Sequence, residues 1–563
     1  MFIDGREVEA GAEIGAQICI VGAGAAGITL ACEFAQSGLD VCLLESGGLE
    51  FDWAPQDLYR GENVGFPYYA LDFCQMRYFG GNTNAWGGWC RPLDVSDLRH
   101  RPWIENSGWP FDLTELEPYY RDAHQLCQLP STDYSPEEWI KKVHSPKAKL
   151  LAFDPKRVET TIYQFSPPTR FGVVYRERIR QSKNVRCFIH SNALRIKTGP
   201  TLGMATHLVV ASRPGAEFSV SANLFVLAAG GTENPRLLLM SNDVAPNGIG
   251  NDYDLVGRYF MEHPHTRRRV IAMNHRAPIG FYGLAFHRRY VSARFALPWE
   301  LQQREQLLNY SGNIHPIYRG HDSEGWIALR KLVLRCTRSR STDPFLRFPP
   351  YGEKRITGAD FFRIARQLDK ATLAAFLQLL QPTRFVDDFV LESKSEQAPN
   401  PDSRITLQRE RDAFGQNRIR LDWRMLPIDR QTVCRGEEIL DQELQRLAIG
   451  RLEPLPANGA TRWPDNLEGG WHQLGMTRMH ADPKRGVVDA DGRVHGLGNL
   501  FIAGGSVFPT SGAAPPTLTI VALALRLADH LRSVYATSHH VTARFATETI
   551  PDQKLVARTP LNS

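Results

Sequence analysis

Gly22-Ala23-Gly24-Ala25-Ala26-Gly27 sets three glycines at the spacing that binding of a pyrophosphate requires. Phosphates are best held by backbone N–H groups, and a chain without side chains in the way can bring those groups close. Gly22 permits a tight turn, Gly24 lets N–H groups approach the pyrophosphate at a helix start, and Gly27 lets that helix pack closely on its strand. Glu45 adds the carboxylate that would accept hydrogen bonds from ribose hydroxyls.

The flanking elements are those such a site needs. Residues 17–21 form an apolar run suited to a buried parallel strand. Ile28, Leu30, Ala31, Phe34 and Ala35 follow with helical spacing, and residues 40–44 read as a second buried strand ending at Glu45. Strand, turn, helix, strand and acid in this order predict a dinucleotide site.

The C-terminal fifth carries a second set of chemical residues. It reads Gly470-Trp471-His472-Gln473-Leu474-Gly475, then Gly486-Val487-Val488-Asp489, Asn499-Leu500-Phe501, Gly505-Ser506-Val507-Phe508-Pro509 and Pro515-Pro516-Thr517 before an apolar stretch. Together with the first motif, this order resembles the glucose–methanol–choline (GMC) flavoprotein oxidoreductases, and within them the bacterial sugar- and glycoside-oxidising branch. The resemblance implies FAD rather than NAD. It extends to Tyr78-Phe79-Gly80-Gly81-Asn82-Thr83-Asn84-Ala85-Trp86, similar to the family's second flavin loop, where Gly80, Gly81 and Asn84 are the implied contacts. It also extends to Gly230-Gly231-Thr232-Glu233 after a buried strand at 223–229, and to Ala193, Gly505, Ser506, Pro516 and Thr517 as further cofactor positions. Some relatives link flavin covalently to a His at the position of Ala85. Alanine cannot form that bond, so the expected FAD is non-covalent.

The same resemblance implies the reaction. A base takes the hydroxyl proton of an alcohol while its carbinol hydride passes to flavin N5, and His472 matches the base, a role suited to neutral imidazole. The usual second residue, an Asn or His, falls at Pro515, which has no polar side-chain atom and no N–H. His480 is a nearby candidate to replace it. Pro516 suits a helix start, and the helix dipole behind it would favour negative charge at the flavin N1–C2=O edge. Val256-Gly257-Arg258-Tyr259-Phe260-Met261-Glu262-His263-Pro264-His265 also resembles a family segment; the alternation of His263 and His265 reads as strand packing rather than catalysis.

The expected architecture is an α/β FAD-binding Rossmann-like domain of GMC type at 1–265 and 466–536, joined to an α+β substrate domain with an antiparallel sheet at 266–465. Within the latter, 388–391, 404–407 and 418–423 alternate like strands and 359–380 reads as helical. Arg330, Lys331, Arg335, Arg338 and Arg340 form a basic run, read as a solvated face, with an anionic-substrate or membrane-surface site as alternatives. A polar tail at 537–563 is expected to be poorly ordered.

With 563 residues the chain is too long for one ordinary core, and 42% hydrophobic and 23% charged residues are ordinary for a globular protein. A net charge of +5 is small at this length and gives no reason to expect nucleic acid as a partner. Nine scattered cysteines without a Cys-x-x-Cys pair argue against a metal site and for a reducing compartment. The start of the chain lacks the charge and apolar pattern of a signal peptide, and no segment has the length of a membrane span. The expectation is a cytoplasmic enzyme with a small-molecule substrate and an open choice of electron acceptor (oxygen, a quinone or another). Two alternatives stay open: a relative that has left alcohol oxidation for lyase, decarboxylation or other tailoring chemistry because of Pro515, and a non-enzymatic binding protein.

Overall fold

A computed structural model describes residues 1–547 except 147, 168, 284–290, 321–322, 337–356, 381–384, 455–462 and 465. The strand Glu13–Val21 turns through Gly22 into the helix Ala25–Phe34 and returns as the strand Val41–Leu44. Ile18 to Leu44 supplies fully buried apolar residues on both sheet faces, as a parallel sheet covered on both sides demands. Parallel pairing runs from Phe2–Asp4 through Val185–Ile189, Val41–Leu44 and Glu13–Val21 to Ala216–Leu227. Ala205–Arg213 and Asn192–Thr198 continue this sheet as antiparallel strands. The short strand Leu500–Ile502 adds in parallel to the end of Ala216–Leu227, so the C-terminal segment returns to the N-terminal sheet.

A second, seven-stranded sheet is antiparallel throughout, in the order Gly450–Leu452, His265–Ala272, Val386–Ser395, Tyr310–Tyr318, Val291–Ala296, Glu159–Phe165 and Trp89–Cys90. Two of its strands, Glu159–Phe165 and Trp89–Cys90, come from outside the 266–465 stretch. The alternating segments near 404 and 418 pair with each other, as Arg404–Arg411 against Asn417–Asp422. The helical stretch at 359–380 is two helices, Gly358–Arg366 and Leu368–Leu380. They break at Gln367, where φ is −126° and ψ is 36°.

The last helix, Thr517–Thr547, packs its apolar residues from Leu518 to Leu531 into the main core beside the first helix. Arg532 ties the two together by donating to the Glu33 carbonyl at 2.9 Å. The helix runs past the expected boundary at 537, because its backbone pattern continues to Thr547; the rest of the expected tail lies outside the described residues, as do Arg338 and Arg340 of the basic run. Cys19, Cys32 and Cys42 are buried free thiols that pack as small hydrophobes. Among the described residues no helix is long and apolar enough to cross a membrane.

Candidate active site

The cavity between the two large sheets, about 900 Å³, is lined by both glycine loops, by residues of the antiparallel sheet and by the C-terminal motif. Glycine is required at specific points of its wall. A Cβ on Gly27 would lie 1.8 Å from the Gly22 carbonyl oxygen, so the first helix can sit this close to the turn only without a side chain. A Cβ on Gly24, by contrast, would meet nothing within 4 Å. Its backbone faces open space at a helix start that no side chain caps. A phosphate-bearing cofactor fits there.

The second glycine loop closes on the first. Gly80 N–H donates to the Ala23 carbonyl at 2.8 Å, and a Cβ on Gly81 would come within 3.0 Å of Gly24 Cα. Gly80 and Gly81 have φ of 106° and 51°, values that L side chains rarely adopt. Glu45 lies at the cavity wall with its carboxylate accepting from Ala23 N–H at 3.0 Å and Gly47 N–H at 2.8 Å. Each oxygen keeps a lone pair for a ribose hydroxyl. Burial pushes the Glu45 carboxyl above its usual range.

Of the sequence-predicted residues, Gly22, Gly24, Glu45, Gly81, Ala193, Gly230, His472, Gly505, Pro516 and Thr517 line this one cavity. Gly27, Gly80, Asn84 and Ser506 stand behind the wall and shape it. Asn84 Nδ2 donates to the Phe79 carbonyl at 2.9 Å, and the Ser506 hydroxyl receives bonds from Asn234 and Thr477. Ala85 is buried beside them. Pro515 does line the cavity, so its lack of a polar side-chain atom and of an N–H falls at the wall. Helical residues begin at Thr517, with the Pro516 carbonyl accepting from Ile520 N–H at 2.8 Å.

His472 does not stand alone. Its Nδ1 lies 2.6 Å from His263 Nδ1, and His263 Nε2 lies 2.7 Å from the Gly512 carbonyl oxygen. That carbonyl can only accept, so His263 carries its proton on Nε2 and offers Nδ1 as an acceptor; His472 then carries its proton on Nδ1 and leaves Nε2 bare. Both rings are neutral at ordinary pH. Burial pulls His263 down to about 4, and burial with the nearby Lys394 charge holds His472 well below the usual range.

Glu262 builds the seat under this pair. Its carboxylate accepts from the backbone N–H groups of His263 at 3.0 Å, Gly470 at 2.8 Å and His472 at 2.8 Å, and from the Tyr68 hydroxyl. The Gly470 and His472 bonds bracket Trp471, whose φ of 61° is unusual for a non-glycine residue. Burial pushes the Glu262 carboxyl up to about 7 against these bonds.

The antiparallel sheet supplies a charged wall. Arg267, Arg294, Glu392 and Lys394 line the cavity together with His265 and His315. Both ring nitrogens of His265 are buried without a partner. A Cβ on Gly470 would lie 2.8 Å from His472 Nδ1 and 3.2 Å from His265 Nε2, so the two rings crowd one glycine. The reading of His263 and His265 as packing residues therefore gives way to one in which both face the site. The available signal was the run Glu262-His263-Pro264-His265, three ionisable residues around a proline. His480 is not at the wall; its Nδ1 accepts from Asp482 N–H at 2.9 Å in a surface turn. Arg330 of the basic run lines the cavity, at an exposed position. Among the described residues no group of three His, Cys, Asp or Glu could hold a metal ion.

Residues 399–524 match the family described as GMC oxidoreductase. Fructose dehydrogenase large subunit of Gluconobacter japonicus is 26% identical over 55% of this chain and 47% of its own length, so the chain spans about half of that relative. The 6'''-hydroxyparomomycin C oxidase of Streptomyces lividus is 24% identical over 91% of each chain. Among solved structures, pyridoxine 4-oxidase from Mesorbium loti superposes with a TM-score of 0.54 at 18% identity, over 92% of this chain and 99% of its own. A formate oxidase gives a TM-score of 0.53 at 17% identity over 93% and 99%. The segment that carries His472 is thus similar to the GMC oxidoreductase domain, and the fold over nearly the whole chain is the one these two solved oxidases share.

Proposed function

We propose that this protein oxidises an alcohol group of a small hydroxylated molecule, such as a sugar, glycoside, polyol or biosynthetic intermediate, with His472 as the base. The observation that carries the reading is the bare Nε2 of His472 at the wall of the cavity that the glycine loops share. A neutral imidazole with its other nitrogen committed to His263 is oriented to take the hydroxyl proton, leaving a carbonyl as the hydride departs. Bound FAD supplies the redox chemistry by accepting that hydride. Gly22, Gly24, Glu45, Gly81, Ala193 and Gly230 would hold it, with Gly505, Pro516 and Thr517 at the other end of the site and no covalent link at Ala85. The last helix begins at the cavity wall, with Pro516 and Thr517 lining it, and a helix start favours negative charge.

Pro515 leaves the substrate oxygen without its second hydrogen bond. His265 is the group we assign to replace it, because both its nitrogens are unspent and its ring shares Gly470 with that of His472. The names of the relatives, one of which is a fructose dehydrogenase, support an alcohol substrate. The polar vacancy at Pro515 also favours a second reading, in which the fold performs lyase or other tailoring chemistry. Anaerobic addition of sugars, glycosides and simple alcohols to the holoenzyme separates the two. Bleaching of the visible flavin band by any of them supports alcohol oxidation. A bound flavin that none can bleach overturns it.

A further inference from the structure

Arg294 is the least compensated charge in the described structure. It lies on the strand Val291–Ala296, is 1% exposed, and lines the cavity that holds His472. All three of its guanidinium nitrogens are buried without an acceptor. Its carbon lies 3.8 Å from the centre of the Trp89 ring and 5.5 Å from that of Tyr163. An aromatic face offsets part of the charge but accepts none of the five N–H bonds at the guanidinium edge. Lys394 also lies over Trp89, at 4.3 Å, and its ammonium is 3.7 Å from Glu392, beyond hydrogen-bond reach. Arg267 pairs with Glu392 at 3.1 Å and with Glu468 at 3.2 Å, and His265 and His315 are held neutral by burial. Arg294 has no such partner, at a site where an unpaired ion is costly.

Resting on the alcohol-oxidising reading above, we propose that the substrate is a hydroxy acid, whose carboxylate is received by Arg294 and Lys394 while its alcohol meets His472. An unpaired guanidinium matches an anion, and its planar fork matches a planar carboxylate. The pair belongs to the antiparallel sheet and not to the glycine loops, which assigns it to substrate rather than to cofactor phosphates. Tyr163, on which Arg294 also rests, donates to the Ala513 carbonyl at 3.2 Å, two residues before Pro515. The carboxylate site therefore adjoins the loop at which the family's second polar residue is missing. A substrate anchored at its acid end depends less on that residue for its position. Burial lowers Arg294 to about 10 and Lys394 to about 8, so Arg294 stays charged at neutral pH and Lys394 is mostly charged.

The test compares matched alcohols on the holoenzyme under anaerobic conditions: glycerol with glycerate, and glucose with gluconate. A site built to hydrogen-bond a group discriminates strongly against the analogue without it. The acid of at least one pair should reduce the flavin with kcat/KM about 100-fold or more above its neutral partner. Arg294→Met should erase that preference by slowing the acid alone, with Arg294→Lys between. Neutral partners that reduce the flavin as well as or better than the acids overturn the proposal and leave alcohol oxidation standing; the wild-type comparison decides this even where a variant fails to fold. A carboxylate without a hydroxyl, butyrate, separates the remaining case. If no alcohol bleaches the flavin, yet butyrate perturbs its spectrum in the wild type and not in Arg294→Met, the anion site stands and the alcohol reading falls. If butyrate has no effect and the acids show no preference, the anion site falls.

Discussion

His263 and His472, 209 positions apart, meet through their Nδ1 atoms at 2.6 Å, and the Gly512 carbonyl behind His263 decides which of the two gives the proton. The order of donors runs His263 Nε2 to carbonyl, then His472 Nδ1 to His263. Replacing His263 by Ala leaves the His472 Nδ1–H without an acceptor in a buried site, a loss worth about 1–3 kcal/mol. We expect kcat to fall roughly 5- to 150-fold, with flavin content unchanged. His472→Ala should fall further, by about 10²–10⁴. Stopped-flow reduction of the two holoenzymes checks the ranking, and a larger effect at His263 than at His472 would reverse the assigned roles.

The pH profile follows from the same pair. As the proposed base His472 works neutral, and burial holds it below the ordinary imidazole pKa of about 6.5. A folded pKa below the free value means that the neutral form persists as pH falls through 6.5 and is lost only further down. The acid limb of kcat/KM should therefore have an apparent pKa below that of a free imidazole. A limb at 6.5 or above would mean that the ring is solvated or that another group limits the rate.

Two neighbouring glycines should fail in different ways. A methyl at Gly27 strikes the Gly22 carbonyl at 1.8 Å, so Gly27→Ala should cost about 1–3 kcal/mol or more and lower stability even without flavin. A methyl at Gly24 touches no protein atom within 4 Å. Gly24→Ala should keep the stability of the apoprotein and lose FAD affinity, because the methyl enters the space assigned to the pyrophosphate. Urea unfolding of the apoproteins together with flavin titration separates the two; equal behaviour would remove the pyrophosphate from Gly24.

Acid precipitation of the holoenzyme should leave all flavin in the supernatant, since Ala85 offers no nucleophile for a covalent bond. Yellow pellet protein would require another attachment point.

Glu262 should act through position alone. Glu262→Gln keeps the size but offers one oxygen where three backbone N–H groups and Tyr68 now donate. The Gly470–His472 turn should loosen, with kcat reduced roughly 5- to 150-fold and the flavin spectrum preserved. Loss of flavin with no change in the turnover of the remaining holoenzyme would argue for a purely architectural role.

The parts of this site legible in the sequence are those whose causes are local. Gly22, Gly24 and Gly27 sit on one turn, and the need for a bare backbone there is written into residue types within a stretch of six. Asn417–Asp422 and Arg404–Arg411 announce themselves by alternation for the same reason. The 359–380 helix was legible as helix and not as two, because the break at Gln367 rests on backbone angles with no proline or glycine to mark it. That His263, His265 and Arg294 line the cavity was not legible. Their roles depend on the register that sets Val291–Ala296 against Glu159–Phe165 and His265–Ala272 against Val386–Ser395, pairings between segments far apart in the chain. The sequence did draw attention to positive charge, but at Arg330–Arg340. The cation of the proposed acid site, Arg294, is a single charge inside the largely apolar strand Val291–Ala296.

The addition of Leu500–Ile502 to the first sheet, and the packing of the last helix on the first, have a consequence for synthesis on the ribosome. The N-terminal strand–turn–helix emerges early, but the partner for one flank of its helix is encoded near the far end. At about 5–20 residues per second, the first helix waits on the order of a minute with that apolar flank uncovered. Nascent chains longer than the first sheet but shorter than the last helix should therefore be the species that chaperones hold, and flavin capture should come late, after release rather than during elongation.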